Sequence, residues 1–310
     1  MAPSVPTSAP TAAPSLPATT TTAAAAAPLE TVAIVTTPTV AATNPPATAS
    51  PATDASTTTV FTETTPVPRT INVLVTNDDG YDAPGIDAVV QYLRTVPAVN
   101  VIVVAPATNE SDSGTKITPG GATTVTDVKT LSGYPAKAVT GSPADSVNWA
   151  LNGGIPTKPD LVISGADAGQ NLGSLIPTSG TIGAAATAAR AGIPAIAISQ
   201  GFATAPQTPY FAASVKVLGD YFTDSLDAYR NGDGVPLISI NVPTCPANAL
   251  FPTLEAPPAP ADPSQHLGDP AKCDGPLPGD ATSDVQAFDA GHAVISYLDP
   301  ATLAGEPSPG

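Results

Sequence analysis

Two adjacent carboxylates, Asp78 and Asp79, close the run Ile71-Asn72-Val73-Leu74-Val75-Thr76-Asn77-Asp78-Asp79-Gly80. β-Branched and aliphatic residues give way there to a polar tip, and in open α/β sheets ligands bind beyond the carboxyl ends of the strands. Neighbouring carboxylates repel unless a cation or a shared proton sits between them. A hard divalent metal is the simplest resolution. The same tip is also a good turn, because Asn and Asp cap their own backbone and Gly accepts positive φ.

Three further polar clusters follow apolar runs: Asn109-Glu110-Ser111-Asp112-Ser113-Gly114, Ser164-Gly165-Ala166-Asp167-Ala168-Gly169-Gln170-Asn171, and Thr178-Ser179-Gly180-Thr181. Singly, each has a bland explanation: a strand exit, or a helix N-cap at Ser179 or Thr181. Together, at successive strand ends, they supply carboxylate, hydroxyl and amide oxygens, the donors that select Mg²⁺, Mn²⁺ or Ca²⁺, whereas Zn²⁺ favours His and Cys. His266 and His292 lie outside the clusters. A helix starting near Thr181 adds free N–H groups and a positive dipole end. Ser179, Thr181 and Asn171 can donate hydrogen bonds there without adding charge. Metal plus anion-binding helix start suits a phosphate monoester.

The elements that must position these clusters alternate. Strands are expected at 71–75, 101–105, 160–164, 195–199 and 237–241, and helices at 85–96, 143–151, 181–191 and 211–229. This order implies an α/β, Rossmann-like, mostly parallel sheet flanked by helices. Residues 115–139 read as a β-hairpin excursion, 243–278 as Pro-rich with little periodicity, and 292–298 as a strand-like return. Of residues 1–66, 47 are Thr, Ala or Pro and only Phe61 is aromatic. Such a segment buries too little apolar surface to offset its ordering entropy. It is expected to be a disordered tail, plain or O-glycosylated, ahead of one domain over 67–310.

The formal charge is −16, of which the tail's Glu30, Asp54 and Glu63 account for three. An acidic domain lacks the footprint of a nucleic-acid-duplex binder, and would repel anions unless a bound cation inverted the local field. No stretch approaches a membrane span, and Met1-Ala2-Pro3 shows no basic n-region. Cys245 and Cys273 share the Pro-rich region and could pair. With the acidity and the tail, this favours an extracellular or cell-surface protein whose leader was removed; a cytoplasmic one is the alternative.

Several of these motifs, in this order, resemble the SurE-type (survival protein E) 5′/3′-nucleotidases, metal-dependent phosphatases, from about Ile71 to about Pro300. The carriers are Val73 to Gly80, Tyr81 through Gly85-Ile86, Val103-Val104-Ala105-Pro106, Thr140-Gly141-Ser142-Pro143-Ala144-Asp145-Ser146-Val147 and Pro159 through Gly165. Asn171-Leu172-Gly173, Ser179-Gly180-Thr181, Gly192 to Ser199 and Ile240-Asn241-Val242-Pro243 complete the set. The resemblance implies a divalent metal, Mg²⁺ or Mn²⁺, on Asp78, Asp79, Ser111 and Asp167. It also implies a phosphate pocket near Asn77, Asn171, Ser179, Gly180 and Thr181. Asp79 would orient or deprotonate the attacking water and Asn77 would stabilise charge on the phosphoryl oxygens. The implied substrate is a small phosphomonoester, a nucleoside 5′- or 3′-monophosphate, and the implied assembly a homodimer with exchanged C-terminal elements. Asp145 is expected to support the site rather than ligate.

Three departures stand out. Asp167 replaces the family's usual Asn, adding charge. Thr115-Lys116 occupy places where the family carries His or Asn followed by Ser, and Lys116 is either a cation for phosphate or a solvated loop residue. The region after Pro243 is compressed. They motivate the rival reading, a non-catalytic secreted binding or surface protein on the same scaffold. A dinucleotide oxidoreductase is disfavoured, since the first strand-to-helix turn is Asp-rich rather than Gly-x-Gly-x-x-Gly. Asn109-Glu110-Ser111 is a glycosylation sequon, expected unmodified because a sugar would block the pocket.

Overall fold

The computed structural model describes residues 68–121, 124–203, 208–245, 250–262, 265–277 and 279–309. The tail expected over 1–66 lies outside them. Ten strands form one sheet: β1 (Ile71–Thr76), β2 (Val99–Pro106), β3 (Val125–Lys129), β4 (Pro135–Val139), β5 (Leu161–Asp167), β6 (Ala195–Gln200), β7 (Leu237–Val242), β8 (Phe251–Glu255), β9 (His292–Leu298) and β10 (Gly305–Glu306). Their order is β10-β9-β7-β6-β5-β1-β2-β4-β3, with β8 also on β9. Pairings from β4 through β2, β1, β5 and β6 to β7 are parallel. The expected hairpin is antiparallel β3–β4, with β4 continuing the parallel sheet beside β2.

From β1 the chain winds outward in two directions, through β2 on one side and through β5 on the other. The crevice beyond the carboxyl ends of β1 and β5 is therefore the topological switch point, where such folds bind ligands. Asp78 and Asp79 follow β1 directly, and Asp167 is the last residue of β5.

Helices α1 (Pro84–Leu93), α2 (Pro143–Trp149), α3 (Gly180–Arg190), α4 (Phe211–Asn231) and α5 (Asp284–Ala290) cover the sheet. Because successive strand residues point to opposite faces, Val73 and Val75 pack with Ile86, Val89, Val90, Leu218 and Phe222 of α1 and α4. Leu74, Val104 and Val162 pack with Val147, Ile182, Ala185 and Ala186 of α2 and α3. The central strands are apolar on both faces for this reason. A smaller cluster of Leu172, Ala256, Ala287, Phe288 and Val294 seats α5 and the Pro-rich segment, and a Cys245–Cys273 disulfide closes that segment.

Three elements toward the C-terminus, β8, α5 and β10, were not anticipated: each is short, and β8 lies amid prolines that mask its pattern. Asp284 at the start of α5 is buried and accepts backbone N–H bonds from Gly173 (2.8 Å), Ala259 (2.7 Å) and Val285 (2.7 Å). One carboxylate thus fastens the Pro-rich segment to the loop after β5. In addition, β5 extends through Asp167 by way of a register shift, so the third polar cluster begins inside the strand.

α2 starts with a capping box: Ser142 Oγ accepts from Asp145 N–H, and Asp145 accepts from Ser142 N–H. Asp145 also takes both donors of Thr118, N–H at 2.8 Å and Oγ1–H at 2.7 Å. Burial alone would raise its pKa, but the bonds from Thr118 and Ser142 outweigh that and hold it below 3.8. A depressed carboxylate stabilises the fold fully above its unfolded pKa, and that contribution is lost as pH falls through the folded value. Asp145→Asn should therefore cost about 1–3 kcal/mol at neutral pH, and the gap to the parent should shrink as acid unfolding is followed below pH 3.8. A pH-independent gap would contradict this assignment. Gly183 gives a second test. Alanine there would favour the helix by about 1 kcal/mol, but its Cβ would lie 1.8 Å from Gly114 O. Gly183→Ala is expected to lower the melting temperature by several degrees; an increase would contradict the close approach of α3 to this loop.

Candidate metal and phosphate site

A cavity of about 410 Å³ opens at the switch point, lined among others by Asp78, Asp79, Asn109, Ser111, Asp167, Asn171, Ser179 and Phe202. Asp78 and Phe202, 124 positions apart in the chain, meet here because β1, β2, β5 and β6 all end on this edge. The loop after β2 is tied down by backbone bonds, Glu110 N–H to Asp78 O (2.7 Å) and Gly114 N–H to Thr178 O (2.9 Å).

Each carboxylate is held by its own donors. Asp78, almost wholly buried, accepts from Thr181 Oγ1–H (2.6 Å) and Thr181 N–H (3.1 Å). Asp79, more accessible, accepts from Asn109 Nδ2 (3.1 Å) and Ala168 N–H (3.1 Å). Asp167 accepts from Asn171 Nδ2 (2.8 Å). Burial, opposed by the Thr181 hydrogen bond and reinforced by the charge of Asp79, pushes Asp78 up to about 6. Burial raises Asp79 as well. Asp167 is raised well above the ordinary range, first by burial and then by the charges of Asp78 and Asp79. Asp78 thus responds to Asp79, and Asp167 to both.

Among the described residues no charged partner neutralises them. Among the described residues no lysine or arginine lines the cavity, and the ion pairs lie elsewhere. Buried carboxylates without a paired charge are costly. Ser113 Oγ is buried with no hydrogen-bond partner. A Cβ built on Gly180 would lie 2.7 Å from that oxygen and 2.9 Å from Asp78 Oδ2, so glycine at 180 leaves room for both. Oxygen donors, excess negative charge and an orphaned hydroxyl fit a hard dication. Among the described residues no three His, Cys, Asp or Glu side chains are already gathered at metal-holding distance; the carboxylates share a cavity wall without closing on a common point.

Other expected site residues behave differently from the sequence reading. Asn77 is wholly buried and donates through Nδ2 to Gly80 O (2.8 Å), closing the turn beneath the carboxylates, while its Oδ1 has no partner. Thr181 commits both N–H and Oγ1–H to Asp78, and Asn171 Nδ2 bonds Asp167 and Ser199 Oγ (2.9 Å). Donors expected to face an anion therefore orient carboxylates. Ser179 caps α3, its Oγ accepting from Ile182 N–H (3.1 Å), and Gly183 N–H goes to Ser179 O (2.9 Å). Gly180 N–H, at the same helix start, is engaged by none of these. Ser111 is exposed at the cavity, its N–H bonded to Asn109 Oδ1 (3.1 Å). Lys116 is exposed and outside the lining. Asp145 lies away from the cavity, in the α2 cap.

Three residues escaped the sequence reading. Asn109 links Asp79 to the Ser111 loop, Ser113 sets its hydroxyl against Gly180, and Gln170 bonds Leu267 O, Asp269 O and Phe202 N–H. All three sat within clusters already singled out, but nothing local to Gln170 reveals contacts so distant in sequence.

Known proteins resemble this chain in sequence and in fold. A family model described as survival protein SurE matches residues 73–254. The 5′-nucleotidase SurE of Pelobacter propionicus is 36% identical over 185 residues, covering 59% of this chain and 70% of the relative. That of Symbiobacterium thermophilum is 38% identical over 182 residues, covering 57% and 68%. The crystal structure of SurE protein from Aquifex aeolicus superposes with a TM-score of 0.57 at 26% identity, covering 74% of this chain and 93% of that one. The chain belongs to the SurE family.

Proposed function

We propose that this chain is a metal-dependent phosphomonoesterase that hydrolyses nucleoside 5′- or 3′-monophosphates. The observation that carries this reading is the trio of buried Asp78 and half-buried Asp79 and Asp167 around one cavity, with no lysine or arginine among the described residues lining it, beside the start of α3. Relatives named 5′-nucleotidase SurE support the substrate class. Residues 67–310 form the catalytic domain and 1–66 its tail.

Asp78, Asp79, Ser111 and Asp167 are assigned to hold the ion, Mg²⁺ or Mn²⁺ by their oxygen chemistry. When bound, it would supply positive charge to a phosphate oxygen and a water of lowered pKa. The chain's own groups do the rest. Thr181 fixes the orientation of Asp78. Asp79, half-buried, is pinned by Asn109 and Ala168 and is assigned to orient or deprotonate the attacking water. Gly180 N–H and the positive end of α3 face the phosphoryl oxygens, a preorganised anion site. Asn77 shapes the turn that carries both aspartates. The Cys245–Cys273 bond supports an oxidising, extracellular or cell-surface location, and a homodimer is carried forward from the resemblance. No observation favours the non-catalytic rival.

Chelation should abolish hydrolysis of a nucleoside monophosphate, and Mg²⁺ or Mn²⁺ should restore it; full activity in chelator would sink the metal assignment. Asp79→Asn should lower kcat by about 10²-fold or more, while an unimpaired variant would remove Asp79 from the proton chemistry. Asp167→Asn keeps an oxygen ligand and loses a charge. It should require more metal for half-maximal activity while retaining turnover at saturating metal. Loss of turnover at every metal concentration would show instead that the carboxylate itself is needed.

A further inference from the structure

We propose that the ring of Phe202 is the platform on which the base of a nucleoside monophosphate stacks while its phosphate lies among the carboxylates. The inference rests on the nucleotidase reading above and assigns the part of the site that reads the leaving group. Phe202 is 39% exposed, among the few large apolar side chains left in solvent. It is the only aromatic residue among the described residues lining the cavity, whose remaining walls are mostly carboxylate, amide and hydroxyl.

The ring is built in rather than stranded. Phe202 N–H donates to Gln170 Oε1 (2.9 Å), and the Nε2 of the same amide donates to Leu267 O and Asp269 O, both at 2.7 Å. Gln170 is itself 3% exposed. A single buried amide therefore fixes the backbone of Phe202 and the stretch containing Gly268, which also lines the cavity. The ring edge lies close over Gly169: a Cβ there would fall 2.7 Å from Cζ and 3.0 Å from Cε1. Glycine at 169 permits this approach, two residues from Asp167. The aromatic surface is thereby held against the strand end that carries a carboxylate of the phosphate site.

An aromatic face accepts any base through its π-surface, with little dependence on which hydrogen-bonding edge the base presents. Phe202 should thus separate nucleotides from aliphatic phosphate esters more than it separates one base from another. The test compares kcat/KM for AMP and CMP with that for glycerol 2-phosphate, using the full chain with Mg²⁺. Phe202→Ala should lower the nucleotide-to-glycerol-phosphate ratio about tenfold, mainly through KM. Phe202→Trp should keep the ratio, and Phe202→Leu, apolar but without a ring face, should fall with alanine. An unchanged ratio in Phe202→Ala, or full retention in Phe202→Leu, would overturn the platform while leaving the hydrolase intact. A parent protein inert toward all three esters would overturn the hydrolase reading, and the platform with it.

Discussion

The structure depends on one electrostatic constraint: Asp78, Asp79 and Asp167, from two strand ends, face a single cavity that exposed Asp112 also lines, and no lysine or arginine among the described residues lines it. Water access to Asp79 relieves part of the repulsion, and hydrogen bonds from Thr181, Asn109, Ala168 and Asn171 relieve more. Yet burial and the neighbouring carboxylates still raise buried Asp78 and half-buried Asp167. A fold that accepts such a cost at its topological switch point, where α/β sheets bind ligands, has positioned charge for use. Perturbed carboxylates clustered in a cleft mark functional sites on physical grounds.

The rest of the architecture serves that placement. Buried on both faces, β1 and β5 cannot slip register without turning core residues outward, so the tips that carry Asp78 and Asp167 are fixed. α3 is set by close approach at Gly183 and by the Ser179 cap, and its first turn orients Asp78 through Thr181. On the other side Asp284 and Gln170 tie the loop after β5 to the Pro-rich segment, which the disulfide closes. The cavity is thus walled by a rigid sheet edge and by irregular chain anchored through buried polar hubs.

Much of this was legible in the sequence, for identifiable reasons. The contrast between Ile71–Val75 and Asn77-Asp78-Asp79 marks a strand ending in polar chemistry, and the Ala-rich run ended by Gly192 and Pro194 marks α3. The oxygen-rich clusters signal a hard metal. What stayed hidden depends on tertiary register. Nothing local shows that Thr181 and Asn171 turn their donors to aspartates rather than to a phosphate, or that Asn77 faces inward. α5 is seven residues long, too short for a helical period to emerge, although Ser283 caps it and Gly291 ends it in the left-handed conformation. β8 pairs in parallel with β9, a partner some forty residues on, across a register shift. Gln170 joins Phe202 and Leu267, contacts that exist only once the sheet and the Pro-rich segment have come together.

The most direct test is calorimetric titration of Mn²⁺ into the full chain, its Asp78→Asn variant and its Asp167→Asn variant. The account predicts one ion per chain for the parent and weaker binding in both variants, because each removes a charge from the same cavity. Absence of binding at millimolar Mn²⁺, or binding indifferent to both substitutions, would contradict the claim that these carboxylates are arranged around a single dication.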